Sequence, residues 1–212
     1  MPRRVPAAIA TVLMGVLAGG CGSSGSDDER DVVEVVEEAL TTRDPAWCRE
    51  LVTQRFLDQL YTEGDAARRE CEQLTAIYDT PRSVAVSRIE VRGDFARVRA
   101  AVHGGDDDGA TWGLALVRGN SDWRIDRVTA AELDFERHLR AKRRFFLRPP
   151  GGYTERQADC IVRTMRNRGE ADLERAIVAG NDRTLNAPIA RCVPGALWAS
   201  RELVGRATGS KR

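Results

Sequence analysis

The sequence predicts an α+β protein in which N-terminal helices pack on a curved antiparallel sheet and a small disulfide-pinned helical domain follows. Three observations predict this order. Residues 31–77 carry apolar side chains at helical spacing, whereas residues 84–125 alternate apolar and polar side chains with a period of two. Beyond residue 130 the alternation stops and helical spacing returns. Helices, then strands, then helices are typical of an α+β fold with a separate C-terminal unit.

Before the sheet, four helices are expected: residues 31–42, a helix from Pro45 with Asp44 as its N-cap, residues 54–61, and residues 65–77. About four strands follow, and their apolar positions fall within residues 84–91, 96–102, 112–116 and 123–125. The alternation loses its phase between Val86 and Ile89, which indicates a β-bulge in the first strand.

This order of helices and strands over residues 31–130 resembles the nuclear transport factor 2-like fold. The resemblance rests on the Thr-Arg-Asp helix break at 42–44, the Val-Arg-Gly-Asp-Phe-Ala-Arg-Val hairpin at 91–98 and the Asp-Trp-Arg-Ile-Asp-Arg-Val strand at 122–128. It implies a curved sheet wrapped round helices to form a cone. It also implies a bridge between the first helices, because small exported bacterial members of this fold often have one where Cys48 and Cys71 lie.

Charge is balanced in the whole chain but divided along it. The 33 Lys+Arg and 32 Asp+Glu residues give a net charge of +1, which does not favour a nucleic-acid partner. Residues 21–130 carry 14 basic and 22 acidic side chains, whereas residues 131–212 carry 17 and 10. The 42% hydrophobic and 31% charged content excludes a disordered polyanion and a multi-span membrane protein.

Residues 1–20 have the pattern of a signal peptide, with Arg3 and Arg4 ahead of an apolar stretch too short to span a membrane. The Leu-Ala-Gly-Gly-Cys segment that ends at Cys21 resembles the lipobox of bacterial lipoproteins, although Ala18 stands where leucine is usual. The resemblance implies a diacylglyceryl group on Cys21 and anchoring at the extracytoplasmic face of the cell membrane. Residues 21–30 are then a lipidated tether. The alternative is ordinary cleavage near Gly20.

Four further cysteines suit disulfides in an exported protein and allow three pairings. The local pairing needs no geometry across domains, and each bridge contributes about 3–4 kcal/mol in the chain-entropy model. It joins Cys48 to Cys71 and Cys160 to Cys192. Metal binding is less favoured because the cysteines lack the close spacing of a zinc site and only His103 and His138 would assist. We therefore expect no metal and no cofactor.

A basic amphipathic helix is expected to connect the sheet to the C-terminal domain, at residues 131–150. One face carries four arginines: Arg137, Arg140, Arg144 and Arg148. Three interpretations remain open: docking on the acidic first domain, attraction to anionic lipids or cell-wall polymers, and a solvated face. The division of charge favours docking. The small helical domain then covers residues 151–212, with helices expected at 154–167, 170–179 and 196–206.

Enzymes with the cone fold, such as ketosteroid isomerase and limonene-epoxide hydrolase, place carboxylates, tyrosines or histidines inside the pocket. In this sequence the resemblance points to Asp126, Tyr61 or Tyr78, and the enzyme would be a small-molecule isomerase or hydrolase. Residues 106–108 are expected to form an acidic hairpin tip, and His103 is expected to belong to a solvated turn.

No catalytic triad or phosphate loop is visible in the sequence. We therefore expect a lipid-anchored, exported, non-catalytic binding or accessory protein. Its partners are the membrane, through the N-terminal lipid, and a protein or small-molecule ligand, with no nucleic acid. The interior of the cone separates the two functions, because ionisable groups that converge on an open pocket favour catalysis.

Overall fold

A computed structural model describes residues 24–61, 63–120, 122–148, 152–179 and 182–194. The signal-peptide segment, Cys21 and the helix expected at 196–206 lie outside the described residues. Of the helices within these ranges, none combines the length and apolar character that a membrane span requires.

Four helices precede the sheet: α1 (Ser24–Thr41), α2 (Trp47–Glu50), α3 (Gln54–Leu60) and α4 (Asp65–Thr75). Helix α1 forms because Val32, Val36 and Ala39 repeat at helical spacing and are buried together. It begins seven residues before the predicted start, so much of the predicted tether is helical. Asp27 lies in its first turn, where a carboxylate is stabilised by the helix dipole.

The turn between α1 and α2 differs from the prediction. Asp44 is not the N-cap of α2, because the helix begins at Trp47 and its N-cap is Ala46. The Asp44 carboxylate accepts a hydrogen bond from the Ala46 N–H at 2.9 Å, which closes a local turn around Pro45. A side-chain cap is instead found at α3, where Thr53 accepts from the Phe56 N–H.

The sheet contains four antiparallel strands in sequence order, and this confirms the predicted meander. They are β1 (Ser83–Arg92), β2 (Phe95–His103), β3 (Ala110–Gly119) and β4 (Asp122–Leu133). The bulge predicted in β1 lies between Ser87 and Glu90, where Arg88 has a φ of +52°. Two further register shifts lie in the β3–β4 pairing. Bulges bend a strand and increase its twist, so they give the sheet its curvature.

Within the described ranges, four helices follow the sheet: α5 (Phe135–Leu147), α6 (Glu155–Arg168), α7 (Glu170–Val178) and α8 (Asp182–Cys192). Thr154 and Gln157 form the capping box expected at the start of α6. The sequence prediction did not include α8. Pro188 lies inside this helix, and proline disfavours helix interiors, so the local signal pointed away from a helix.

Two buried clusters form the core, and the sheet contributes to both. The first lies between the sheet and the N-terminal helices and includes Val36, Phe56 and Leu116. The second joins Val102 of β2 and Leu133 of β4 to the helices that follow the sheet. The C-terminal helices therefore share a core with one end of the sheet.

Among the described residues, two disulfides join Cys48 to Cys71 and Cys160 to Cys192. The first links α2 to α4 and the second links α6 to α8. Each bridge therefore fixes helices within one side of the fold. This is the local pairing that the sequence favoured.

Candidate functional site

A cavity of about 370 Å³ lies between the N-terminal helices, the sheet and helices α5 to α8. The N-terminal helices contribute Leu40, Phe56 and Leu60 to its wall, and the sheet contributes Trp112 and Leu114. These residues line the cavity because alternate residues of a strand face the helices, as do residues three or four apart on a helix.

The C-terminal helices close the cone over this cavity. Phe145 from α5, Met165 from α6, Leu173 from α7 and Ile189 from α8 all line it. Gln59 of α3 connects the sheet to the C-terminal helices, because its amide donates to one backbone carbonyl of β4 and one of α7. The cavity is therefore built jointly by the predicted cone and the helices beyond it.

Ionisable side chains gather on one side of the largely apolar lining. They come from four places: the segment after α3, the segment after α4, the β2–β3 hairpin and helix α5. The members are Tyr61, Tyr78, Asp79, Asp106, Asp107, His138 and Lys142. Asp79 and Asp107 keep 48% and 41% of their side-chain surface in solvent. The polar side is therefore the side at which the cavity reaches the surface.

His138 is the most deeply buried ionisable residue of this group, with 3% of its surface exposed. Its Nδ1 atom is buried and has no hydrogen-bond partner in the described part of the chain. Burial and the nearby Lys142 ammonium lower the pKa of His138 to about 4, against the opposing effect of Asp107. The imidazole is therefore neutral at pH 7 and offers one donor and one acceptor nitrogen.

Lys142 is held between a carboxylate and an aromatic ring. Its ammonium lies 3.5 Å from Asp107 Oδ1 and 5.7 Å from the centre of the Phe145 ring. Asp106 is only 9% exposed and accepts a hydrogen bond from the Asp79 N–H at 3.1 Å. Burial raises the pKa of Asp106.

The predicted acidic hairpin tip is therefore only partly a solvated loop. Asp106 and Asp107 line the cavity, and Asp108 binds Arg137 through two hydrogen bonds of 2.8 and 2.9 Å. These contacts form because α5 packs over the hairpin, which the local sequence does not reveal. His103 is exposed at the end of β2, as expected.

The three candidate catalytic residues divide between two places. Tyr61 and Tyr78 both line the cavity, and burial raises the pKa of Tyr61, with Tyr78, Glu70 and Asp107 adding to the effect. Asp126 does not line it. Its carboxylate instead accepts from the Thr53 hydroxyl at 3.1 Å and from Arg55 at 3.3 Å.

The four arginines predicted on one face of this helix differ in their contacts, and Arg148 is the C-cap of α5 and not part of the helix itself. Arg137 binds Asp108, and Arg148 lies 3.8 Å from Asp79, so both contact acidic residues of the cone. Arg140 and Arg144 are exposed on the same helix.

Sequence reasoning missed the α5 residues that face the cavity. His138, Lys142 and Phe145 follow one another at spacings of four and three, which is the signature of a single helix face. That spacing is visible in the sequence, but the helix was interpreted by its arginine-bearing face, so the face with His138 was not predicted to line a cavity. In the described ranges, no group of three or more His, Cys, Asp or Glu side chains is arranged to hold a metal ion.

No protein-family model matches the sequence, and no curated protein matches it. Among solved structures, the chain is similar to an NTF-2-like protein of unknown function from Silicibacter pomeroyi. The two share 19% identity, with a TM-score of 0.33, over 50% of this chain and 98% of the other.

Proposed function

We propose that this chain is an exported, lipid-anchored binding protein that holds a largely apolar small molecule in the cavity of its cone. The observation that carries the proposal is the cavity itself, about 370 Å³ in volume, with apolar walls and a few polar groups on one side. Small-molecule sites have this size and composition, because apolar walls supply affinity and a few polar groups fix orientation. The protein acts without catalysis at the outer face of the bacterial cell membrane.

The proposed address rests on the lipobox-like segment that ends at Cys21. Intact-mass analysis of the membrane-extracted protein tests it. A diacylglyceryl mass on a chain that begins at Cys21 supports the anchor, whereas a chain with a free Cys21 thiol contradicts it.

A second function, catalysis on a small molecule, is favoured by one observation. Tyr61, Asp107, His138 and Lys142 meet on one side of the cavity, and such groups serve as acids and bases in enzymes. The pKa values of His138 and Tyr61 favour binding instead. A general base works best with a pKa near the ambient pH, but the pKa of His138 is lowered to about 4 and that of Tyr61 is raised.

Blocking the cavity from its own wall tests the binding function. Ala176 of α7 is 4% exposed and lines the cavity, so Ala176→Phe places a ring inside it. We expect the mature chain to bind a neutral apolar dye such as Nile red, and this variant to bind it at least ten-fold more weakly. Ala171→Phe is the matched control, because Ala171 is exposed on the same helix. Equal dye binding by both variants contradicts the proposal.

A further inference from the structure

We propose that the cavity selects a neutral amphiphile, an apolar molecule that ends in a hydroxyl group, and that His138 determines this selectivity by hydrogen bonding to the hydroxyl. The inference rests on the proposed binding function, since it names the class of ligand that the same cavity takes. It gives a role to a residue of α5 that lies outside the region resembling the cone family.

The unpaired nitrogen of His138 is the first argument. A buried polar atom is nearly always paired in a folded protein, because losing water without gaining a partner is costly. Nδ1 of His138 is buried without a partner among the described residues, and the ring belongs to the cavity lining. A ligand that supplies the missing partner is therefore bound more tightly than one of the same size that does not.

The charges around His138 give the second argument. An incoming carboxylate meets the two carboxylates of Asp106 and Asp107, and the one nearby ammonium, on Lys142, is already paired with Asp107 at 3.5 Å. An incoming ammonium is attracted by these carboxylates but repelled by Lys142, which lies one helical turn from His138 on the same face, and it must lose its water to enter the apolar cavity. A neutral group avoids the repulsions and most of this desolvation cost.

A hydroxyl suits this position better than other neutral groups. The neutral imidazole presents a donor on one nitrogen and an acceptor on the other, and a hydroxyl can serve either of them. The rest of the ligand then extends among apolar walls such as Phe56, Leu114 and Leu173.

Four eight-carbon compounds that differ only in the terminal group test the proposal: 1-octanol, octanoate, octylammonium and 1-chlorooctane. Their dissociation constants for the mature chain are measured by displacement of Nile red at pH 7. We expect 1-octanol to bind at least ten-fold more tightly than each of the other three. Octanoate or octylammonium binding as tightly as 1-octanol overturns the proposal.

The role of His138 is tested with His138→Leu, which keeps the size of the side chain and removes its hydrogen bonds. We expect this variant to bind 1-octanol and 1-chlorooctane equally, while His103→Leu, at the exposed histidine, keeps the ten-fold preference. In the wild type, the ring-nitrogen resonances of His138 shift when 1-octanol binds. An unchanged preference for 1-octanol in His138→Leu overturns the role of His138. Unmoved ring-nitrogen resonances in the wild type also overturn it, and this result does not depend on whether the variant folds.

Failure of this inference is distinguishable from failure of the binding function. If Nile red and all four compounds fail to bind, both are wrong. If the dye and the compounds bind without a ranking by terminal group, the cavity binds small molecules but does not select a hydroxyl.

Discussion

Replacing His138 by leucine is expected to change the pH dependence of stability, because the buried ring is held in its neutral form. Its pKa is about 4 in the folded protein and 6.5 when unperturbed. Between these values the unfolded chain binds more protons than the folded chain, so the free energy of unfolding falls as the pH falls. At 1.36 kcal/mol per pH unit the full effect is about 3 kcal/mol, of which about 2 kcal/mol is lost between pH 7 and pH 4.5.

Urea unfolding at both pH values measures this effect. We expect the wild type to lose about 2 kcal/mol more than His138→Leu on acidification, and His103→Leu to behave like the wild type. The other groups that face His138, Lys142 and Asp107, are present in all three proteins, so their contributions cancel in the comparison. At pH 7 the leucine variant is expected to match or exceed wild-type stability, because it removes an unpaired buried polar atom. Equal acid losses in wild type and His138→Leu refute the reasoning.

Three further changes probe the closure of the cone. Replacing Cys160 and Cys192 by alanine opens a loop with a sequence separation of 32 residues, and urea unfolding should show a loss of about 4 kcal/mol; a loss under about 1 kcal/mol contradicts this. Asp108→Asn removes a partly exposed ion pair with Arg137, so the free energy of unfolding should fall by about 1 kcal/mol or less. Because this pair joins the β2–β3 hairpin to α5 beside the cavity, Nile red should dissociate faster in stopped flow. Unchanged dissociation contradicts a role of this pair in closing the cavity. Leu173→Ala should cost about 2–5 kcal/mol in thermal unfolding, because Leu173 is fully buried; a near-neutral effect contradicts its core position.

Local patterns were sufficient to predict most of the fold. The period-two alternation predicted the four-stranded meander, and the lost phase between Val86 and Ile89 predicted the bulge. Thr154 and Gln157 predicted the start of α6. These features depend on neighbours in sequence, so a sequence alone carries them. Helix α8 was missed for the same reason, since the local signal of Pro188 opposes a helix that tertiary packing stabilises.

The candidate site was harder to predict, because it depends on which elements meet in space. Tyr61 and Tyr78 were identified through the family resemblance and do line the cavity, whereas Asp126 does not. Asp106 looked solvated in a run of three acids, yet it is buried against the segment after α4, where its backbone and side chain both bond to the Asp79 backbone. The burial of His138 and its place in the cavity lining likewise depend on how α5 packs in the folded chain, which the local sequence does not show.

Native mass spectrometry of the protein extracted from its own membranes tests the proposed binding function most directly. We expect the wild type to carry one small molecule per chain, released chemically unchanged, and Ala176→Phe to carry little or none, because its ring obstructs the cavity. Wild-type protein without a bound molecule, or equal occupancy in the two proteins, contradicts the proposal that the cone is a binding site.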